Sequence, residues 1–289
     1  VVCVDNDAAK IEKLQKGVIP IYEPGLPEII ERNLREQRLT FSTDLDAAVK
    51  KSFIIFIAVG TPTAPNGAAD LTAVRQVATA IGKAMDRYKV IVIKSTVPVG
   101  TGEQIRDIIK KETAHQFDLL SNPEFLKQGA AVEDFMKPDR VIVGADDVRA
   151  AEMLRDLYTP FVRTGSPVLI MDNRSAEMVK YAANAFLAAR ISFMNEVANL
   201  CEQVGANIEM IRKGIACDSR IGPAFLFAGV GFGGSCFPKD IRALAQTGRE
   251  NEFEMKILNA IDAVNVDQAL RFVEKVRGLK GANGLNAAT

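Results

Sequence analysis

Ile54-Ile55-Phe56-Ile57-Ala58-Val59 is the stretch that decides the fold, because six apolar residues follow one another with no polar alternation. A strand that is apolar on both faces belongs beneath helices on each side, as in a parallel sheet. Working outward, short β-branched runs recur at Val1–Val4, Leu39–Ser42, Val90–Lys94, Asp118–Leu120, Val141–Val143 and Val168–Met171, and the strand itself extends over Phe53–Val59. Amphipathic helical patterns lie between most of them, over Asp7–Lys16, Leu26–Glu36, Leu45–Lys51, Leu71–Arg87, Gly102–Glu112 and Asp147–Tyr158. This alternation predicts an α/β fold with a doubly wound, Rossmann-like parallel sheet.

After Asp172 the pattern changes. From Ser175 to Val204 apolar residues recur at helical spacing, uninterrupted by Gly or Pro. That is one helix of roughly 45 Å at 1.5 Å per residue. Further helices are expected at Ile208–Gly214, Lys239–Gln246 and Met255–Val276, with a glycine-rich loop from Arg220 to Phe237. The chain therefore divides into a sheet domain, 1–172, and an all-helical domain, 173–289, built on the long helix. It opens inside a strand pattern without an initiator methionine and closes on a loop pattern from Gly278 to Gly284. Both ends read as cuts in a longer protein.

The 289 residues are 48% hydrophobic and 25% charged, and 36 Lys and Arg balance 36 Asp and Glu. That balance argues against a nucleic-acid binder, which carries a basic excess or stripe. No run of 18 apolar residues reads as a membrane span. The four cysteines, Cys3, Cys201, Cys217 and Cys236, make no CxxC pair and no cluster with His115. Neither a metal site nor a disulfide framework is expected, and reduced thiols point to the cytoplasm. Cys3, Cys201 and Cys217 read as buried strand, helix and loop residues. With a single histidine, acid–base chemistry falls to Lys, Asp, Glu, Cys or water.

Asp5 ends the first strand and Lys10 lies on the helix after it. A carboxylate there reads equally as an acceptor for ribose hydroxyls or as a helix cap. The GxGxxG string at Gly229–Gly234 is not a dinucleotide fingerprint, since it follows no strand and sits in the helical half. Val59-Gly60-Thr61-Pro62 and Ser95-Thr96-Val97-Pro98-Val99-Gly100-Thr101 each leave the carboxyl end of an apolar strand, where open α/β sheets bind ligands. As a pair on successive strands they read as a site rather than as turns. Asn122-Pro123-Glu124-Phe125-Leu126 is either such a strand-end loop or a helix cap with its staple.

The strongest local signal is Gly233-Gly234-Ser235-Cys236-Phe237-Pro238-Lys239-Asp240. Pro238 suits the first position of a helix, which sets Cys236 at the positive end of the macrodipole with Lys239 near, and each favours thiolate. Lys180 and Asn184 share one face of the long helix, where they read either as site residues or as ordinary solvent-facing ones.

These motifs and their order, with Tyr22-Glu23-Pro24-Gly25-Leu26, Lys180-Tyr181-Ala182-Ala183-Asn184 and Asn195-Glu196, resemble the UDP-glucose/GDP-mannose dehydrogenase family over nearly the whole chain. The resemblance implies an NAD-dependent, four-electron oxidation of a sugar C6 alcohol to a carboxylate, in nucleotide-sugar metabolism and polysaccharide biosynthesis. It implies that Cys236 forms a thiohemiacetal and then a thioester, and that Lys180 stabilises oxyanions or assists deprotonation. Asp240 and Glu124, with Thr96 and Asn184, would position and activate water. Asp5, Lys10, Thr61, Thr96 and Lys239 would hold NAD. Glu124, Phe125, Leu126, Lys180, Asn184, Arg220, Phe232 and Gly233 would line the sugar nucleotide. A homodimer through the long helix is also implied.

The Gly-Phe-Gly-Gly-Ser-Cys wording leans towards UDP-glucose over GDP-mannose or a UDP-amino sugar. Gln128 stands where many members of the family carry Glu. The family's phosphate-binding turn is not found before Val1, nor its carboxyl-terminal nucleotide-binding domain after about Gly281, so weak NAD binding and poor turnover are expected. The rivals are a two-electron hydroxyacid dehydrogenase, which shares the Lys and Asn but needs no cysteine, and a non-catalytic nucleotide-binding scaffold.

Overall fold

The computed structural model describes residues 1–162 and 167–280, with side chains to 278. Strands and helices alternate over the first part: β1 (Val2–Val4), α1 (Ala8–Gln15), α2 (Leu26–Arg35), β2 (Thr40–Ser42), α3 (Leu45–Lys51) and β3 (Ile54–Ile57). There follow α4 (Thr72–Ala84), β4 (Lys89–Ile93), α5 (Thr101–Glu112), β5 (Phe117–Ser121) and α6 (Ala131–Met136). Next come β6 (Val141–Gly144), α7 (Val148–Tyr158) and β7 (Val168–Met171). The remainder is helical: α8 (Asn173–Val204), α9 (Ile208–Ala216), α10 (Phe237–Glu250) and α11 (Lys256–Lys280). Two compact units result. Val1–Thr61 and Asp70–Lys180 form the sheet unit, and Pro62–Ala69 and Tyr181–Thr289 form the helical unit.

In the sheet unit, β3-β4-β5-β6-β7 is one five-stranded sheet in chain order. Every residue of β4 is buried, as expected for a strand covered on both faces. Val90 and Val92 join Leu120, Val141, Val143, Ala150, Ala151, Leu154 and Tyr158 in one core cluster under α7. Alternation turns Ile91 and Ile93 to the opposite face. One junction departs from the all-parallel expectation: β5 and β6 run antiparallel through Ser121 and Gly144. The carboxyl ends of β5 and β6 therefore lie side by side, and the amino end of β6 runs along the segment that follows β5.

Two burial expectations are corrected. β1 pairs only with β2, in a separate two-stranded sheet, and Cys3 is exposed rather than buried. β3 is an edge strand, so Phe53 and Phe56 keep 50% and 37% of their surface. Apolar character can be read from a sequence; whether a neighbour arrives to cover it depends on pairing.

Lys89, at the start of β4, is fully buried. Its ammonium donates to the carbonyls of Lys50 at 3.1 Å and Ser52 at 2.6 Å, and lies 3.4 Å from Asp86. The end of α3 thus receives donors that a helix terminus lacks internally.

In the helical unit, Tyr181, Ala185 and Ala188 of α8 pack with Ile241, Ala243, Leu244 and Ala245 of α10 and with Leu258 and Ile261 of α11. α11 runs through Lys280, so Gly278–Lys280 are helical and not a loop, while 281–284 lie outside the described residues. Among the described residues no helix is long and apolar enough to cross a membrane.

Candidate active site

In the sheet unit the strand-end loops are laced together. The Thr61 hydroxyl donates to the Thr96 carbonyl at 2.8 Å, and the Ser95 hydroxyl donates to the Val59 carbonyl at 2.7 Å. Gly100 and Gly102 each donate a backbone amide to the buried carboxylate of Glu177, at 2.6 and 2.7 Å. Glu177 therefore caps α5 from another helix. Burial pushes its carboxyl up to about 7, against the lowering effect of the two amides.

Asp5 accepts from the Asp7 amide at 3.0 Å and from Lys10 Nζ at 2.5 Å. The Lys10 hydrogen bond is the chief cause holding its carboxyl below the ordinary range. The cap of α1 is Asp7, which accepts from the Lys10 amide, so the capping alternative for Asp5 falls away. The carboxylate at the end of β1 can accept from the ribose hydroxyls of a dinucleotide, whereas the Thr61 and Ser95 hydroxyls give their protons to backbone carbonyls and keep only lone pairs to offer.

Asn122 opens no helix. It is buried, accepts from the Tyr158 hydroxyl at 2.6 Å and Lys94 Nζ at 3.2 Å, and donates to the Ile142 carbonyl at 2.8 Å. The segment after it is a strand-end loop, in which Glu124 accepts from the Leu126 amide at 2.7 Å. The other oxygen of Glu124 accepts from Lys180 Nζ at 3.2 Å, and Lys180 is 4% exposed. Phe125 carries two cations near its ring, Lys180 at 5.3 Å and Arg140 at 4.0 Å from the centroid.

In the helical unit Cys236 is exposed and begins α10, its Sγ 3.6 Å from Ser235 Oγ. Phe237 takes the first helical position and Pro238 the second. One turn on, Asp240 is 1% exposed, and its two oxygens are taken by Asn184 Nδ2 at 2.6 Å and Lys239 Nζ at 2.5 Å. The Lys239 charge is thus shared with a carboxylate. Arg220 does not join this group: it is exposed and paired with Asp218 at 2.6 Å.

Phe232 and Gly233 belong to a loop clamped by three amide side chains. The Asn195 carbonyl accepts from Gly229, Asn265 exchanges two hydrogen bonds with the Phe232 backbone, and Gln268 donates to the Gly229 carbonyl. Gly231 is required there. Its φ is +104°, and a Cβ would stand 2.7 Å from Asn265 Oδ1. The Phe232 ring meets Phe237 edge-on at 5.9 Å.

Several contributors were not visible in the sequence. Arg140 reaches Phe125 only because β6 is antiparallel to β5. Arg190 donates to the carbonyls of Ile221 and Gly222 at 2.8 and 2.9 Å. Glu23 accepts from the amides of Gly129 and Ala131, so it caps α6 from more than a hundred residues away. Its place in the Tyr-Glu-Pro-Gly-Leu motif was the one available signal. Among the described residues no group of three or more His, Cys, Asp or Glu could hold a metal ion.

Residues 1–162 match the NAD binding domain of the UDP-glucose/GDP-mannose dehydrogenase family, and residues 174–267 match its central domain. The chain belongs to that family, and NAD is the cofactor of its sheet domain. It is 48% identical over 284 residues to the UDP-glucose 6-dehydrogenase TuaD of Bacillus subtilis, covering 98% of this chain and 61% of that one. A UDP-glucose 6-dehydrogenase of Pseudomonas aeruginosa is 47% identical over 271 residues, covering 92% and 60%. The structure of a UDP-glucose dehydrogenase from Pyrobaculum islandicum superposes with a TM-score of 0.88 at 44% identity, covering 92% of this chain and 62% of that one. The GDP-mannose dehydrogenase of Pseudomonas aeruginosa gives 0.73 at 30% identity, covering 93% and 63%. The chain spans about three fifths of the length of the curated relatives it matches.

Proposed function

We propose that this protein oxidises the C6 alcohol of UDP-glucose to the carboxylate of UDP-glucuronate, consuming two NAD+ and one water. The observation that carries the reading is the head of α10. An exposed Cys236 stands one turn from a buried Asp240 whose oxygens are held by Asn184 and Lys239. The substrate follows from relatives at 47% and 48% identity that bear the name UDP-glucose 6-dehydrogenase.

Two electrons leave the sugar in each of two steps, and NAD+ supplies the hydride acceptor for both. Lys180 assists loss of the C6 hydroxyl proton and stabilises the oxyanions. The Cys236 thiolate adds to the aldehyde carbon, so the intermediate is neither lost nor hydrated. Oxidation of this thiohemiacetal leaves a thioester. Water, oriented by Asp240, Glu124, Thr96 and Asn184, then hydrolyses it and frees the sulfur. Asp5, Lys10, Thr61, Thr96 and Lys239 hold the cofactor. Phe125, Leu126, Arg220, Phe232 and Gly233 line the sugar nucleotide, and Arg220 must leave Asp218 to meet a phosphate.

Counting NADH per sugar consumed, with UDP-glucose, GDP-mannose and a UDP-amino sugar in parallel, tests the reading. Two NADH from UDP-glucose, abolished in Cys236→Ser, is the expected result. One NADH, or turnover indifferent to Cys236→Ser, would return the two-electron hydroxyacid dehydrogenase; no NADH from any sugar would return the scaffold.

A second copy of the chain is the partner this reading includes. Phe186, Phe193 and Leu200 stand seven residues apart on α8 with 67%, 58% and 57% of their surface exposed. Such a row is the seam of a helix that pairs with another. Sedimentation should give a dimer that Phe193→Glu dissociates.

A further inference from the structure

Lys94 follows β4 directly and enters none of the steps above. Its ammonium lies 3.2 Å from Asn122 Oδ1 and 3.3 Å from the Tyr158 hydroxyl, both neutral. No carboxylate pairs with it within 4.0 Å among the described residues. Tyr158 donates its own proton to Asn122, leaving its oxygen lone pairs for Lys94. Burial pushes the Tyr158 hydroxyl up to about 12, so it stays protonated.

The charged groups that act on Lys94 are Glu124, which favours the ammonium, and Lys180, which opposes it. Desolvation outweighs both and brings Lys94 down to about 8. A half-buried cation at the edge where sheet ligands bind, hydrogen-bonded to neutral dipoles, is an uneconomical way to hold a fold.

We propose that Lys94 is a positioning residue of the reaction above. Through Asn122 and Tyr158 it holds the segment that carries Glu124 and Phe125. Its charge sets the electrostatic field in which Glu124 and Lys180 act. The inference rests on the roles given to those two residues. By linkage, whatever Lys180 and Glu124 do to the protonation of Lys94, Lys94 does to theirs.

Two measurements on the full chain test this independently. The first is a titration by NMR of the protein carrying [ε-13C]lysine, with the Lys94 signal assigned by its loss in Lys94→Arg. Glu124→Gln should move the Lys94 midpoint to lower pH and Lys180→Met should move it higher. A midpoint indifferent to both overturns the proposal, whether or not the protein turns over.

The second is the pH profile of NADH formation from UDP-glucose between about pH 6 and 10. Wild type should lose rate as Lys94 deprotonates, whereas Lys94→Arg, charged throughout, should keep its rate. Lys94→Met should lower kcat about 10- to 100-fold at pH 6 with little change in KM, and the gap from wild type should narrow as Lys94 deprotonates. If both variants merely scale the wild-type profile by a constant, the role is structural and the proposal fails. Absence of NADH in wild type would sink the enzymatic reading alone, and the lysine titration would still decide the coupling.

Discussion

The two units satisfy buried charge in different ways. In the helical unit Asp240 is matched by a cation, Lys239, and by the amide of Asn184. In the sheet unit Glu177 is held by two backbone amides and Lys94 by an asparagine and a tyrosine. At its strand ends Lys180 pairs with Glu124 and Lys10 with Asp5. A charge met by an opposite charge recovers part of its desolvation through Coulomb attraction. A charge met by dipoles recovers less, and its proton equilibrium moves towards neutrality. Glu177 at about 7 and Lys94 at about 8 are the outcome. The sheet unit is therefore where pH acts on this protein.

The largest effect should come from breaking the matched group. Asp240→Ala leaves Lys239 and Asn184 facing a hole and should cost about 3–5 kcal/mol, read by urea unfolding. A cost under about 1 kcal/mol would mean that the group is solvated and the contrast false.

Glu177 tests the other side. Its folded-state value lies above the ordinary 4.5, so between about 4.5 and 7 the folded state keeps a proton that the unfolded chain has released. Stability should fall as pH rises through that window, by at most roughly 3 kcal/mol. Denaturation at pH 5 and pH 8 should show the slope in wild type and its loss in Glu177→Gln.

Gly231→Ala should cost roughly 2 kcal/mol through positive φ and collision with Asn265, and should change the alkylation rate of Cys236 several-fold. An unchanged rate would show that the clamp does not govern the thiol. The smallest effect belongs to Tyr158→Phe, about 1 to 2 kcal/mol for the hydrogen bonds lost to Asn122 and from Lys94. A much larger loss would mean that Asn122 and Lys94 depend on that hydroxyl together.

All seven strands were legible because each is a short local run of apolar or β-branched residues between helical patterns. The 32 residues of α8 were legible because nothing in them breaks helical spacing. α6 was not, since six residues give no periodicity and its cap comes from Glu23. Cys236 could be singled out from its flanking residues and Lys180 with Asn184 from their spacing, whereas Asp240 acquired a role only through the family resemblance. That Asn184 and Lys239 divide the oxygens of Asp240 could not be read, because their meeting depends on how α8 and α10 pack. Arg220 shows the converse error: a cation in a promising loop is here spent on Asp218.

The sequence by itself determined the strands, the helices other than α6, and that a thiol opens α10. Those properties depend on residues within a few positions of one another. Tertiary structure alone decided that Cys3 on β1 would be exposed, that β6 would turn antiparallel and carry Arg140 to Phe125, and that Lys94 would be half-buried among neutral partners. Pairing direction and desolvation are set by residues far apart in the chain, and no local pattern encodes them.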